Sequence, residues 1–525
     1  MKNKLSYRST IVSRIGITGI SLILQILWIV SSVMSLSTYS TWIDLGFRLL
    51  SFLAVLYIIC KDDNPSYKIV WIILILVFPI LGGLMYLFAG NKKPSKKMHR
   101  KIDAAHERLI KSLEDDSGIR EKMSGYEPRS AETFSYVKGI SGYPCYDDST
   151  IKYYPLGDDM FEEILKEAEK AERYIFLEYF IIAEGEMWDR LLKILIEKAE
   201  KGVDVRIIYD DMGCIALLPP GYCKGLEKKH PNIKCLSFNP AVPVLSLVMN
   251  NRDHRKILVI DGHTAFSGGV NISDEYINVT HPFGHWKDTG TMIKGRAAMS
   301  FCEMFLEMWH AFRDCDEKFA LSDYEAENYP AFTAAPTEDM DRILPGIIQP
   351  FYDTPLDKEA LSENLYIDIL SAAEKYVYIY TPYLILDDNM KSALCLAAKR
   401  GVDVRLVTPG IPDKKAIYRL TRANYKPLLE SGVRIFEYAP GFIHAKSFAA
   451  DDKIAVVGTI NLDYRSLFLH FECGTLFYGC EAVKDLRRDC EETFEKCREI
   501  TKENVRNYFR GTMFDALFRL LAPLL

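Results

Sequence analysis

The feature that most constrains this fold is a chemical constellation that the chain carries twice. His254-Arg-Lys256 is followed by Asp261, Gly268-Gly269 and Asn271, and His444-Ala-Lys446 by Asp451, Gly458-Thr459 and Asn461. The step from histidine to asparagine is 17 residues in both sets. At ordinary residue frequencies a His-x-Lys pair with its trailing Asp arises by chance about 0.04 times in a chain of this length, so two with matching Gly and Asn are not accidental. A second repeat lies upstream. Lys201-Gly-Val-Asp-Val-Arg-Ile-Ile recurs as Arg400-Gly-Val-Asp-Val-Arg-Leu-Val, each after an amphipathic helical segment (187–200 and 389–399). Before those segments stand the aromatic, strand-like runs Tyr174-Ile-Phe-Leu-Glu-Tyr-Phe and Tyr376-Val-Tyr-Ile-Tyr-Thr-Pro. Alternating strands and helices, repeated about 200 residues apart, predict two tandem copies of one α/β domain, each a mixed β-sheet flanked by helices.

The spacing has a physical reading. The residues from His254 to Ile260 favour strands, and residues two apart on a strand share a face, so His254 and Lys256 point together, as do His444 and Lys446. Asp261-Gly262 reads as a hairpin turn, after which the glycine segment lets backbone approach a ligand and returns Asn271 to the same place. Imidazole, ammonium and carboxamide together suit a phosphate. The cation and amide hold nonbridging oxygens while a ring nitrogen attacks phosphorus. Two such sets supply two imidazoles, one to attack and one to protonate the leaving oxygen.

Composition narrows the partners. Against 65 Lys+Arg stand 71 Asp+Glu, a net charge of -6, which lacks the basic excess of a nucleic-acid-binding protein. The 12 cysteines contain no CxxC and read as reduced thiols. No Asp/Glu/His cluster has ligand spacing, so neither a metal nor another cofactor is expected.

The apolar residues crowd at the N-terminus. Residues 15–43 and 69–91 carry no charge, and a shorter run, 49–60, reaches spanning length only by starting near Trp42 with Asp44 and Arg48 at the interface. No small-x-small site ends a short apolar core, which argues against a cleaved signal peptide. Residues 1–91 therefore read as a helical transmembrane anchor of two or three helices. Lys2, Lys4, Arg8 and Arg14 draw the N-terminus inward, and Lys92, Lys93, Lys96, Lys97, Arg100 and Lys101 draw the following segment inward too. Three spans cannot satisfy both clusters, and the larger one favours a cytoplasmic main body on a multi-pass membrane protein. The expected domains are a charged connector over 92–132, a first catalytic domain over 133–345, a second over 346–504, and a basic amphipathic tail over 505–525.

The two constellations resemble the paired HxKxxxxD motifs of the phospholipase D superfamily over about 136–503, and within it the chain is similar to the bacterial cardiolipin synthases. Further matches are Asn64-Pro-Ser-Tyr and Phe78-Pro-Ile-Leu-Gly-Gly, Tyr209-Asp-Asp, Asn251-Arg-Asp, Trp286-Lys-Asp288 and Gly458-Thr-Ile-Asn-Leu-Asp463-Tyr-Arg465-Ser466. The resemblance implies two phospholipase D-like domains behind the anchor. It implies a metal-free transfer in which two phosphatidylglycerol molecules give cardiolipin and glycerol through a phosphatidyl-histidine. One of His254 and His444 would be nucleophile and the other acid, with His254 favoured as nucleophile by analogy. Lys256, Lys446, Asn271 and Asn461 would bind phosphate oxygens. Asp261 and Asp451 complete the catalytic motifs, although in the superfamily they are more often structural. Each histidine needs an acid on its second nitrogen, and Asp288 and Glu472 fit by position. His263, His281, His285, His310 and His470 read as structural or exposed. A phosphodiesterase using water or another alcohol, and a catalytically silent membrane scaffold, are the alternatives.

Overall fold

The computed structural model describes residues 23, 26, 30, 38–90, 96–113, 117–240, 251–313, 320–326, 346–508 and 518–524. Two compact units make up the chain. One takes 1–95, 240–251 and 512–525, and the other takes 96–239 and 252–511.

The larger unit is built on two sheets with one plan. In the first, the strand order is Ile233–Phe238, Asp204–Asp210, Tyr174–Tyr179, Lys256–Ile260, Thr264–Gly268, Gly290–Lys294, Thr150–Tyr154. The second repeats it as Arg434–Tyr438, Asp403–Pro409, Tyr376–Tyr380, Ser447–Ala450, Ile454–Gly458, Glu472–Tyr478, Ile347–Asp353, with Cys497–Ile500 added beyond Arg434–Tyr438. The first three strands of each series run parallel and the later neighbours pair antiparallel. The mixed α/β sheets expected from the duplicated sequence are present.

The repeated octapeptide has a local cause. It stops a helix and starts a strand. Gly202 and Gly401 both adopt φ 97°, a left-handed conformation that costs glycine little. The next residue then bonds back into the helix, Val203 N–H to Lys198 O at 3.1 Å and Val402 N–H to Ala397 O at 3.2 Å. From there the chain enters Asp204–Asp210 and Asp403–Pro409, each beside the aromatic strand quoted above. The preceding helix Glu186–Glu200 buries Met187, Leu191, Leu195 and Ala199, one stripe at four-residue spacing, in a core with Ile175, Leu177, Val205, Ile207 and Leu258.

The second core also takes in Ile119, Met123, Phe134 and Val137 from helices Ser117–Tyr126 and Pro128–Ser141. The charged stretch expected as a connector thus contributes apolar residues to the later copy. Residues 509–517 of the C-terminal amphipathic stretch lie outside the described residues.

The smaller unit holds helices α1 (Thr38–Ile59), α2 (Pro65–Val77) and α3 (Pro79–Ala89). Its small core is Ile58, Tyr67, Trp71 and Ile75. Among the described residues no helix is long and apolar enough to cross a membrane. The expected span over 15–43 lies largely outside the described residues. The expected span over 69–91 is corrected: it is two helices of 13 and 11 residues. Pro79 is the reason, since it has no N–H for an intrahelical bond and its ring displaces the preceding turn. Phe78 takes φ −128° and ψ 78°, ends α2 and starts α3.

Candidate active site

The two copies are stitched together where their histidines stand. His254 N–H donates to Phe471 O at 2.9 Å and Phe471 N–H to Arg252 O at 2.9 Å. In the mirror arrangement, Gly441–Ile443 pairs parallel with His285–Lys287, and His444 N–H donates to Lys287 O at 2.7 Å. Each histidine is therefore held against the residue that precedes the other copy's acid. The side chains follow: His254 Nδ1 lies 2.8 Å from Glu472 Oε2, and His444 Nδ1 lies 2.6 Å from Asp288 Oδ2. A carboxylate only accepts, so Nδ1 of His254 carries the proton and Nε2 keeps its lone pair; His444 Nδ1 also lies 2.8 Å from Lys446 Nζ, and its proton is directed to the nearer acceptor, Asp288. Asp288 and Glu472 are both fully buried.

The surrounding charges set the protonation states. Burial first, then Lys256, Lys446 and His444, push His254 well below the ordinary imidazole range. Burial and Lys446 lower His444 to about 4, although Asp288 pulls it upward. Burial likewise lowers Lys256 to about 8 and Lys446 to about 7. Lys446 and His444 hold Asp288 below the usual carboxylate value against the opposing effect of its burial. Lys256 and Lys446 donate to the carbonyls of His254 and His444, which fixes each ammonium beside its own imidazole.

Two copies of one plan differ in detail. A Cβ on Gly269 would lie 2.0 Å from Asp288 Oδ1, so only glycine lets the short aspartate seat there. The corresponding position in the second copy is Thr459, whose hydroxyl donates to the longer Glu472. Asn271 accepts from Ile181 N–H at 3.0 Å and gives one amide hydrogen to Tyr276 at 2.8 Å, leaving one for a ligand. Asn461 is buried at the matching position.

Asp261 and Asp451 do not belong with the reacting groups. Asp261 accepts from the backbone N–H of Glu172, Arg173 and Tyr174 at 2.7, 2.8 and 2.8 Å, and Asp451 from Glu374, Lys375 and Tyr376 at 2.7, 2.8 and 2.9 Å. Each sits just past the far end of a strand, Lys256–Ile260 or Ser447–Ala450, with its lysine at or before the near end, roughly 16 Å away at 3.3 Å per residue. They adopt φ 51° and 56°, open their hairpins, and clamp the start of the aromatic strand.

Two residues near the site, one of them Trp286 of the quoted Trp286-Lys-Asp288 match, had no role assigned from the sequence. His470, expected to be structural or exposed, has its ring centroid 5.6 Å from that of His254, and its Nε2 accepts from Arg465 Nε at 3.2 Å. Trp286 takes the equivalent place beside His444 at 5.5 Å. The available clue was spacing, since each stands two residues before its copy's acid. The approach to His254 is fixed by Arg252, 3.4 Å from Asp210, and by Asp253 N–H on the same carboxylate at 3.1 Å.

Two groups could hold a metal among the described residues: His254 with His470 and Glu472, and His106 with Glu303 and Glu307. A cation on the first would compete for the His254–Glu472 contact and face the charges of Lys256 and Lys446. In the second, His106 Nδ1 lies 2.9 Å from Glu307 and 3.5 Å from Glu303, and these carboxylates raise it to about 10 against its burial. An imidazolium already balances that group.

The family described as "Cardiolipin synthase, PLD-like domain" matches 164–309 and 366–494, one match to each copy. The chain belongs to the cardiolipin synthase family. It is an enzyme of the phosphatidyltransferase class. "Phospholipase_D-nuclease N-terminal" matches 49–91. A cardiolipin synthase of Geobacillus kaustophilus is 32% identical over 90% of this chain and 91% of its own length. An uncharacterized protein of Streptococcus mutans is 42% identical over 90% of this chain and 99% of its own. The crystal structure of a phosphatidylserine synthase from Haemophilus influenzae shares the fold, with a TM-score of 0.54 at 15% identity, covering 75% of this chain and 100% of that one.

Proposed function

We propose that this cardiolipin synthase family member joins two phosphatidylglycerol molecules into cardiolipin and free glycerol through a phosphatidyl-histidine on His254. The observation that carries the reading is the reciprocal pairing of each imidazole with the other copy's carboxylate, which leaves two Nε2 atoms without that commitment beside two ammonium groups. His254 Nε2 attacks phosphorus, the bond to the glycerol oxygen breaks, and protonated His444 gives its Nε2 proton to that oxygen. A second phosphatidylglycerol hydroxyl then loses its proton to His444 and attacks, the P–N bond breaks, and His254 is restored.

Lys256 and Lys446, with the amides of Asn271 and Asn461, hold the nonbridging oxygens. Glu472 and Asp288 orient the rings and stabilise their cationic states; Asp261 and Asp451 support the frame. The assignment of roles is supported by the surroundings. Burial and neighbouring cations press His254 toward the neutral form that attacks; burial and Lys446 lower His444 as well, and Asp288 is the group that opposes them in favour of the charged form an acid requires. The anionic phosphodiester, once bound, offsets the ammonium charges that disfavour that form. No metal or other cofactor enters the scheme.

We place the protein at the cell membrane, with the catalytic unit on the cytoplasmic side, where its phospholipid substrates need no soluble carrier. The test is to give purified membranes phosphatidylglycerol labelled in the headgroup and acyl chains. Cardiolipin and free glycerol in equal amounts support transfer to a second lipid. Phosphatidate in place of cardiolipin would show water as acceptor, and no turnover would favour a scaffold.

A further inference from the structure

We propose that residues 65–89 enter the bilayer as a re-entrant hairpin and return to the side they came from, so that their apolar surface meets acyl chains without crossing. Tyr67 OH donates to Gly90 O at 3.2 Å, although 23 residues separate them. In one straight helix those residues would be about 34 Å apart. Further along, the Trp71 and Tyr86 rings lie 5.3 Å apart, and a Cβ on Gly82 would lie 2.4 Å from Leu74 O. Helices α2 and α3 therefore run back along one another from base to bend.

The bend suits hydrocarbon because it leaves few backbone groups to satisfy. Phe78 N–H donates to Leu74 O at 2.9 Å, Phe78 O accepts from Gly82 N–H at 2.7 Å, and Pro79 has no N–H. Polarity is graded along the hairpin. At its base lie Lys61, Asp62, Asp63 and Asn64. Lys68, the one charged side chain of α2 and α3, reaches back to Ile59 O at 3.2 Å. The Lys61 ammonium sits 4.9 Å from the Tyr57 ring centroid and 5.3 Å from that of Tyr86, an arrangement of cations and tyrosines typical of the headgroup level. Toward the bend the exposed side chains are Ile73, Leu76, Val77 and Phe78, with Leu76 58% and Val77 56% exposed. Such a tip fits acyl chains and not water.

Length agrees with entry and not passage. The 13 residues of α2 rise about 20 Å, against about 30 Å of hydrocarbon. The hairpin also bears on the basic cluster 92–101, which it returns to the side from which 65–89 enters.

The inference rests on the membrane-bound reading above, and sidedness tests it. Cys60 is an exposed free thiol at the hairpin base, and Lys97→Cys adds a second after its return. Sealed right-side-out and inverted vesicles of the full chain are treated with an impermeant maleimide and read peptide by peptide. Both sites should label in the same vesicle orientation, at least about tenfold over the other. Labelling of Cys60 in one orientation and position 97 in the other would overturn the hairpin. Val77→Cys should label in neither until detergent is added, and labelling of it in intact vesicles as readily as Cys60 would remove the tip from lipid. Cardiolipin formation is measured on the same membranes. Its absence with same-side labelling counts against the proposed reaction and leaves the hairpin standing.

Discussion

Replacing Asp288 by asparagine should slow expulsion of glycerol about 10³-fold while sparing attack on an activated substrate. His444 must carry a second proton to act as acid, and the buried Asp288 carboxylate, with Oδ2 2.6 Å from Nδ1, is the charge that stabilises that imidazolium. With charge centres about 4 Å apart at an effective dielectric of 20, the attraction is about 4 kcal/mol. At 1.36 kcal/mol per decade, losing it corresponds to about 10³ in rate. An asparagine keeps the shape and can still accept the ring N–H, so the loss is electrical and not geometric.

The assay is rapid-quench measurement of the phosphatidyl-enzyme, formed either from phosphatidylglycerol or from a nitrophenyl ester whose leaving group needs no proton. Asp288→Asn should lose about 10³-fold with the lipid and less than about 10-fold with the ester. Glu472→Gln should lose heavily with both, because the ring of His254 becomes cationic on attack whatever departs. Cross-copy pairing adds a second signature: Asp288→Asn placed on His444→Ala should cost nothing further with the ester. Equal losses for Asp288→Asn with both substrates would refute the assignment of Asp288 to an acid on the opposite copy.

The division of labour has a direct test: His444→Ala should still form acid-labile phosphohistidine from the nitrophenyl ester and His254→Ala none, and label on the His254→Ala protein would reverse the roles. Turnover should survive EDTA; loss restored by one specific divalent ion would end the metal-free scheme and direct attention to His254, His470 and Glu472. Lys446 titrates near 7 in the free enzyme, and its ammonium, lost as pH rises through that value, is the form that binds phosphate. The kcat/KM of the lipid should therefore fall on the alkaline side, and Lys446→Arg should carry that limb upward by about one pH unit, to where Lys256 loses its proton, if it retains turnover; an unmoved limb would assign it to another group. Asp261→Ala removes the acceptor of three backbone N–H groups and should lower unfolding stability by about 2–3 kcal/mol in denaturant titrations, leaving kcat per folded molecule within about threefold, whereas a loss of kcat like that of a lysine variant would return Asp261 to the reacting set.

The sequence by itself determined the duplication and its local chemistry. Two-residue spacing put His254 near Lys256 and His444 near Lys446, although the strands begin only at Lys256 and Ser447, and the Gly202 and Gly401 helix stops were legible as repeated text, because all of these are fixed by neighbours a few residues away. Asp288 and Glu472 could be named as acids from position. Which histidine each one serves could not, since the answer crosses from one copy to the other through Phe471 and Lys287. The places of His470 and Trp286 beside the two histidines were invisible for the same reason: each is a ring contact between segments more than 150 residues apart. The motif aspartates were counted with the chemistry because spacing groups them with histidine, yet a strand carries them to its opposite end. In the anchor, hydropathy recognised that 69–91 is apolar but read length as passage. Contacts between Tyr67 and Gly90, and between Trp71 and Tyr86, decided that the segment turns back, because hydropathy sums residues along the chain and a hairpin is defined by residues meeting across it.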